Sequence, residues 1–375
     1  MSKLLRVCLI LFLSLPAWSW AQQPAPTSGS QSALPDPVLA QRPTLKPPAQ
    51  HSVTTPEGRI HLDVVVTDAA GKPALGLDPS DFKLLDDHQP RTILSFRSFD
   101  GVAVQPTPPV AIILLFDEAN LSPQQTAFTR QQIGRFLRQN GGHLVLPVYL
   151  FLLTDDGLRM QPRPSADGIA LASVLDQISA SVHTIFPAMG AEGDLMRFQV
   201  SVHQLTAVAE NEAARPGRKL LIWVGPGWPM LDGSNFTYSD KEQRHFFDWI
   251  VELSTKLREA RMAVYSVAPS SSVLGSGTHT LLYQAFLKGV KSPRQADTGN
   301  LGLKVLAVQS GGRILGPDND LAAQINSCIA EASAFYTLSF NPLSANHADE
   351  YHDLKVEIAR PGLTARTNTG YYNQP

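Results

Sequence analysis

The sequence predicts an α/β protein: a doubly wound, mostly parallel, Rossmann-like sheet joined to a small β domain built from the amino- and carboxy-terminal segments. Three observations predict it. Val110 to Phe116 reads VAIILLF, a continuous apolar run of the kind found in strands buried on both faces. Strand-like and helix-like segments then alternate to about residue 334, the order of a parallel sheet with crossover helices. Alternating, β-branched segments stand at both ends, as in Arg59 to Thr67 and Leu354 to Ala359.

Composition sets the outer limits. A chain of 375 residues, 43% hydrophobic and 17% charged, is globular in type and long enough for two or three domains of roughly 100–200 residues. A formal net charge of −2 gives no positive surplus for nucleic acid or an anionic membrane. The 29 prolines outnumber the 26 glycines, so part of the chain must hold a proline excess.

Taken in order, residues 1–21 read as a signal peptide. Lys3 and Arg6 flank an apolar run from Val7 to Leu15, and Ser19-Trp20-Ala21 is a small-x-small cleavage site. The run is too short to span a bilayer. An exported chain is therefore expected. Cleavage removes Cys8 and leaves Cys328, which rules out an intramolecular disulfide and reads as a small core residue. Residues 22–51, rich in Pro, Gln and Ser, read as a disordered linker.

Residues 52–105 form the expected amino-terminal β segment. Arg59 to Thr67 is a strand, Asp68 to Pro73 a turn, and Asp78 with Pro79 starts a short helical turn before Phe82 to Leu85. Asp86-Asp87-His88-Gln89-Pro90 is a second turn; its acid pair reads as turn chemistry, with cation binding as the alternative. Gln105 to Pro109 marks a boundary.

Residues 108–334 carry the α/β domain. After the strand at 110–116, Ser122 followed by Pro123 caps a helix that stops at Gly141-Gly142. Further strands are expected at 144–153, 219–224 and 262–267, and helices at 166–180, 194–214 and 240–260. In the last of these Phe246, Ile250, Leu253 and Leu257 recur at helical spacing. Ser270 to Gly299 reads as an insertion with a helix at 280–287; a helix at 300–309, an edge strand at 313–315 and a helix from Asp320 follow. Asp318, Asn319 and Asp320 lack the spaced glycine and distal glutamate of a calcium loop, so they read as an N-cap. Residues 335–375 return to β structure, with strands at 335–340, 354–359 and 364–369. His347 and His352 fall in a polar hairpin loop and read as solvated.

Several stretches together resemble a known family. They are Val64-Val65-Val66-Thr67-Asp68 with Gly71, Leu77 to Phe82, the apolar strand closing on Asp117, and Gly217-Arg218-Lys219 before a buried strand. Leu306-Ala307 with Gly311-Gly312, Phe335 to Pro342, Ile358 to Leu363 and Gly370-Tyr371-Tyr372 complete the series. In this order, over nearly the whole mature chain, they are similar to the VWFA-related proteins of acidobacterial secreted sets, with a von Willebrand factor type A-like domain in the middle.

The resemblance implies a metal-ion-dependent adhesion site at the C-terminal edge of the sheet, where doubly wound folds bind ligands. It would comprise a D-x-S-x-S loop after the first strand, with a threonine and an aspartate from two later loops. Here the loop reads Asp117-Glu118-Ala119-Asn120-Leu121, with Ala119 and Leu121 at the hydroxyl positions. Gly225-Pro226-Gly227-Trp228-Pro229 stands where the later aspartate is expected, and Thr184 is the nearest candidate for the threonine. A lone carboxylate competes poorly with water for Mg²⁺ or Ca²⁺, so the expectation is a degenerate site without cofactor. Asp117, Asn120 and Ser122 are the residual candidate ligands.

The edge itself, with Glu118, Thr184, Gly225, Gly227 and Trp228, is the candidate recognition surface. An exposed Trp228 in a rigid loop would suit a binding hot spot; the alternative is that it packs under the 270–299 insertion and plugs the vacant metal position. The chain has no phosphate loop, no H-E-x-x-H and no G-x-S-x-G; Met230 replaces the third glycine of a dinucleotide fingerprint, and Asp155-Asp156 reads as a turn. Together with these absences, the resemblance implies a non-enzymatic binding or adhesion-type protein, periplasmic or extracellular in a bacterium, its partner a protein, glycan or cell-envelope component. The alternatives are a divalent-metal-dependent adhesion module and a cell-envelope hydrolase.

Overall fold

The computed structural model describes residues 58–100, 110–177, 184–185, 189–229, 238–270 and 283–375. The expected signal peptide and linker lie outside them, as do Met230 and part of the 270–299 insertion.

Strands β1 (Ile60–Thr67), β2 (Phe82–Asp86), β3 (Gln89–Arg91) and β4 (Ser95–Asp100) come first. Then come β5 (Ala111–Asp117), α1 (Pro123–Arg138), β6 (His143–Thr154), β7 (Gly157–Met160), β8 (Ser165–Asp167), α2 (Gly168–Gln177) and α3 (Gly190–Ala213). They are followed by β9 (Lys219–Val224), α4 (Asp240–Glu259), β10 (Met262–Pro269), α5 (Leu303–Gln309), β11 (Arg313–Asp318) and α6 (Leu321–Ala330). Four strands close the chain: β12 (Ala334–Phe340), β13 (Glu350–Ile358), β14 (Thr364–Arg366) and β15 (Gly370–Asn373).

The central layer is a seven-stranded mixed sheet in the order β11-β10-β9-β5-β6-β7, with β8 also paired to β6. The neighbours from β11 to β6 are parallel, and β7 and β8 run antiparallel to β6. The apolar run of β5 explains its central place. Ile113 and Leu115 face a core built with Phe198 and Leu205 of α3, Leu253 and Leu257 of α4, and Leu306 of α5. Ile112, Leu114 and Phe116 face the opposite core, with Ile133 and Leu137 of α1, Leu171 of α2, and Ile325 and Cys328 of α6. Helices therefore cover both faces, and water reaches neither side of β5.

Two four-stranded sheets, β14-β1-β12-β4 and β15-β13-β2-β3, combine strands from opposite ends of the chain. β1 runs antiparallel to β12 with Ile60 opposite Phe340, and β2 runs antiparallel to β13 with Leu354 opposite Asp86. Between them lies a third core of Leu62, Val64, Leu84, Tyr336, Leu338 and Val356. These strands are held to the α/β part by buried polar groups. Tyr265 of β10 and Arg366 of β14 both donate to Glu331 Oε2, each at 2.7 Å, and Arg313 lies 3.1 Å from Glu331 Oε1.

Some local expectations change. The helix expected at 300–309 is split: a 3-10 turn, Thr298–Leu301, precedes α5 at Gly302, whose extended backbone interrupts the run. Of the helix expected at 280–287, the described residues form a 3-10 turn, Tyr283–Phe286. The turn at 86–90 is tighter than expected: Asp87 and His88 adopt positive φ, so β3 begins at Gln89. His352 is not solvated. It lies on β13 and is 3% exposed, whereas His347 is exposed in the preceding loop. Among the described residues no helix is long and apolar enough to cross a membrane.

Candidate functional site

Asp117 is the last residue of β5, at the end of a parallel strand where neighbouring loops diverge. The loop after it is fixed by its backbone: Glu118 N and Ala119 N both donate to Leu153 O, at 2.9 and 3.1 Å. Ser122 then caps α1. Its hydroxyl accepts from Gln125 N, and Gln125 Oε1 accepts from Ser122 N, a reciprocal capping box.

This path buries the Asp117 carboxylate completely. Trp223 of β9 donates its indole Nε1 to Oδ2 at 2.8 Å. Asn120 donates its amide Nδ2 to Oδ1 at 2.9 Å and Oδ2 at 3.1 Å, and its backbone N to Oδ1 at 3.2 Å. The same Nδ2 reaches Ser201 Oγ of α3 at 3.1 Å. An amide oxygen turned toward the carboxylate would be repelled, so chemistry fixes the amide's orientation. Burial pushes the Asp117 pKa up from 3.8 to about 6, against the lowering effect of the hydrogen bonds from Trp223 and Asn120; Asp155 adds a smaller upward push.

The candidate ligands Asp117, Asn120 and Ser122 are thus neighbours but not a converging oxygen set. Asn120 presents nitrogen to Asp117, and the Ser122 hydroxyl is engaged at the helix cap. Ala119 is buried in the core shared with α3 and α4, and Leu121 in the core shared with α1. Thr184 is exposed, and its backbone N donates to Asp155 Oδ2 at 2.7 Å.

The loop after β9 closes over this carboxylate. A Cβ on Gly225 would stand 2.6 Å from Asp117 Cβ, so only glycine fits. Gly227 has φ +73 and packs against Leu303, where an added Cβ would come within 2.8 Å. Of the two readings of Trp228 the packed one holds and the exposed hot spot is corrected: it is 4% exposed, shares a core with Val290 and Ala296 of the 270–299 stretch, donates Nε1 to Leu301 O at 3.1 Å, and sits edge-on to Trp223 with centroids 5.2 Å apart. The positive φ of Gly227 turns the chain inward, and Leu301 accepts the indole proton. Glu118 is also absent from the exposed edge, being buried in an ion pair with Arg130 of α1. What the edge does expose includes Asp156, in the turn after β6, and Thr184.

Sequence reasoning did not find Trp223 as a partner of Asp117. Its position in the apolar run 220–224 of β9 gave no sign that the indole N–H points along the sheet to the neighbouring strand end.

No family model matches the chain, and no curated protein matches it. Solved structures similar to it include the human COPII-coat protein Sec24c, with TM-score 0.31 and 10% identity, covering 71% of this chain and 44% of that one. The pilus adhesin SpaC from Lactobacillus rhamnosus GG is similar with TM-score 0.35 and 10% identity, over 80% of this chain and 43% of that one. The chain spans less than half the length of either.

Proposed function

We propose that the chain is an exported, non-enzymatic binding protein of adhesion type, whose α/β part is a degenerate von Willebrand A-like module that works without a metal at its sheet edge. The observation that carries the metal-free reading is the coordination of Asp117. Both of its oxygens are engaged by N–H groups of Asn120 and Trp223, and buried Ala119 and Leu121 stand at the two hydroxyl positions. Nitrogen donors facing a carboxylate occupy the directions a hard cation would need. The parallel strands from β11 to β6, with helices on both faces, support the doubly wound reading.

Recognition on this reading falls to the exposed rim around Asp156 and Thr184, and the partner is a protein or glycan of the cell envelope. The test is capture from cell-envelope extract on the immobilised full chain, beside calorimetry with Mg²⁺, Mn²⁺ and Ca²⁺. Asp156→Arg and Thr184→Arg are expected to lower capture several-fold, and Asp117→Ala to leave the metal heats unchanged. Capture indifferent to both rim variants sinks the edge assignment. Metal heat abolished by Asp117→Ala restores the metal-dependent adhesion module, and turnover on peptide, ester or glycoside panels would make the chain a hydrolase.

A further inference from the structure

Away from the sheet edge, the carboxylates of Asp86 and Asp87 meet the imidazole of His352. Asp86 ends β2 and is 0% exposed; Asp87 follows it in the turn; His352 on β13 is 3% exposed, and its ring stacks on Tyr371 at 4.9 Å and 16°. Each carboxylate has one oxygen already held. Asp86 Oδ2 accepts from Tyr371 OH at 2.8 Å and from Leu343 N at 3.3 Å, and Asp87 Oδ1 accepts from Asp353 N at 3.0 Å. The other oxygens, Asp86 Oδ1 and Asp87 Oδ2, each lie 3.3 Å from His352 Nδ1. Although 3.3 Å apart, the buried atoms Asp86 Oδ1 and His352 Nδ1 are not aligned as a hydrogen bond and make none elsewhere, and His352 Nε2 makes none either.

We propose that Asp86, Asp87 and His352 form a structural site for a divalent transition metal of the zinc class, clipping the β2–β3 hairpin to β13. Geometry supplies the first argument. Two ligands about 2.0 Å from a tetrahedral ion stand about 3.3 Å apart, the spacing of both oxygens from Nδ1. Charge supplies the second. Two carboxylates and a neutral imidazole offset a divalent cation, and among the described residues their one ionic partner is His352. A fully buried carboxylate such as Asp86 is costly without a compensating charge. The third is the surrounding shell: Tyr371, Leu343 and Asp353 fix the non-ligating oxygens, as outer partners do in metal sites. One imidazole with carboxylate oxygens favours Zn²⁺ or a neighbour in the series over Ca²⁺ and Mg²⁺. The Asp87 side chain is 36% exposed, which leaves a solvent path to a fourth, water-filled position.

The test is Zn²⁺ titration of the full mature chain, first stripped with chelator, followed by calorimetry and thermal melting, with Co²⁺ absorption as a separate probe of coordination. One equivalent of Zn²⁺ is expected to bind, to raise the melting temperature, and to be replaceable by Co²⁺ with a tetrahedral visible band. Asp87→Asn retains an acceptor for Asp353 N while removing the charge, so it should fold and bind Zn²⁺ at least 10-fold more weakly. His352→Asn should abolish the Co²⁺ band. Zn²⁺ binding unchanged in both variants, or no stoichiometric Zn²⁺ site in the wild type, overturns the proposal in favour of a His352–carboxylate ion pair. Asp117→Ala, run in parallel, keeps this outcome separate from that of the sheet edge.

Discussion

Trp223 Nε1 lies 2.8 Å from Asp117 Oδ2, so one strand of the parallel sheet satisfies the carboxylate at the end of its neighbour with a hydrogen bond from the sheet's own aromatic core. Removing that donor leaves a buried carboxylate oxygen short of a partner. Trp223→Phe is expected to destabilise the fold by about 1–3 kcal/mol, read as a lower denaturant midpoint at unchanged slope. An unchanged midpoint would mean that the indole bond contributes nothing.

The burial of Asp117 makes stability depend on pH. Its pKa rises from 3.8 to about 6 on folding, so between these values the folded chain holds more proton than the unfolded one. Stability from this group is therefore full below about pH 4 and lost as pH rises through about 6, a change on the order of 3 kcal/mol. Measured against Asp117→Asn, the advantage of the wild type should shrink from about pH 4 to about pH 7. A flat difference across that window refutes buried titration.

Gly225→Ala forces a methyl group against Asp117 Cβ at 2.6 Å. A loss of about 1–3 kcal/mol is expected. Because the clash is with a Cβ, the same change should cost less in an Asp117→Gly background; additive losses in the double-mutant cycle would place the strain elsewhere.

Glu331 gathers Tyr265, Arg313 and Arg366 around one buried carboxylate. Glu331→Gln keeps the shape and removes the charge, leaving the half-buried guanidinium groups of Arg313 and Arg366 short of their counter-ion. A loss of about 3–5 kcal/mol is expected, nearly independent of salt because the group is shielded from solvent. A loss that vanishes at high ionic strength would mark the network as a surface ion pair.

The α/β order was legible because β5 and β9 are long apolar runs and α4 carries a clear helical stripe. Ser122-Pro123 likewise announced the start of α1, and Asp320 the start of α6, where its side chain accepts from Ala323 N. Tertiary information was not legible. For Trp228 the loop of glycines and prolines left exposure and burial both open, and what decides for burial is Leu301, far along the chain. His352 was the nearer miss. Extending the alternation of Leu354 and Val356 back by two residues puts it on their inward face, a signal masked by the polar residues before it.

β1 pairs with β12 and β14, and β2, beyond its local hairpin with β3, pairs with β13, so β1 and one edge of β2 have no strand partner until the last strands exist. Loop closure over almost the whole chain must precede their pairing, a slow step in comparison with the local crossovers of the parallel sheet. During synthesis the amino-terminal strands therefore wait with open edges while the α/β part assembles behind them. Loss of the final forty or so residues would leave β1 and β2 as persistent templates for intermolecular pairing. The carboxy terminus acts as the seal on the amino terminus.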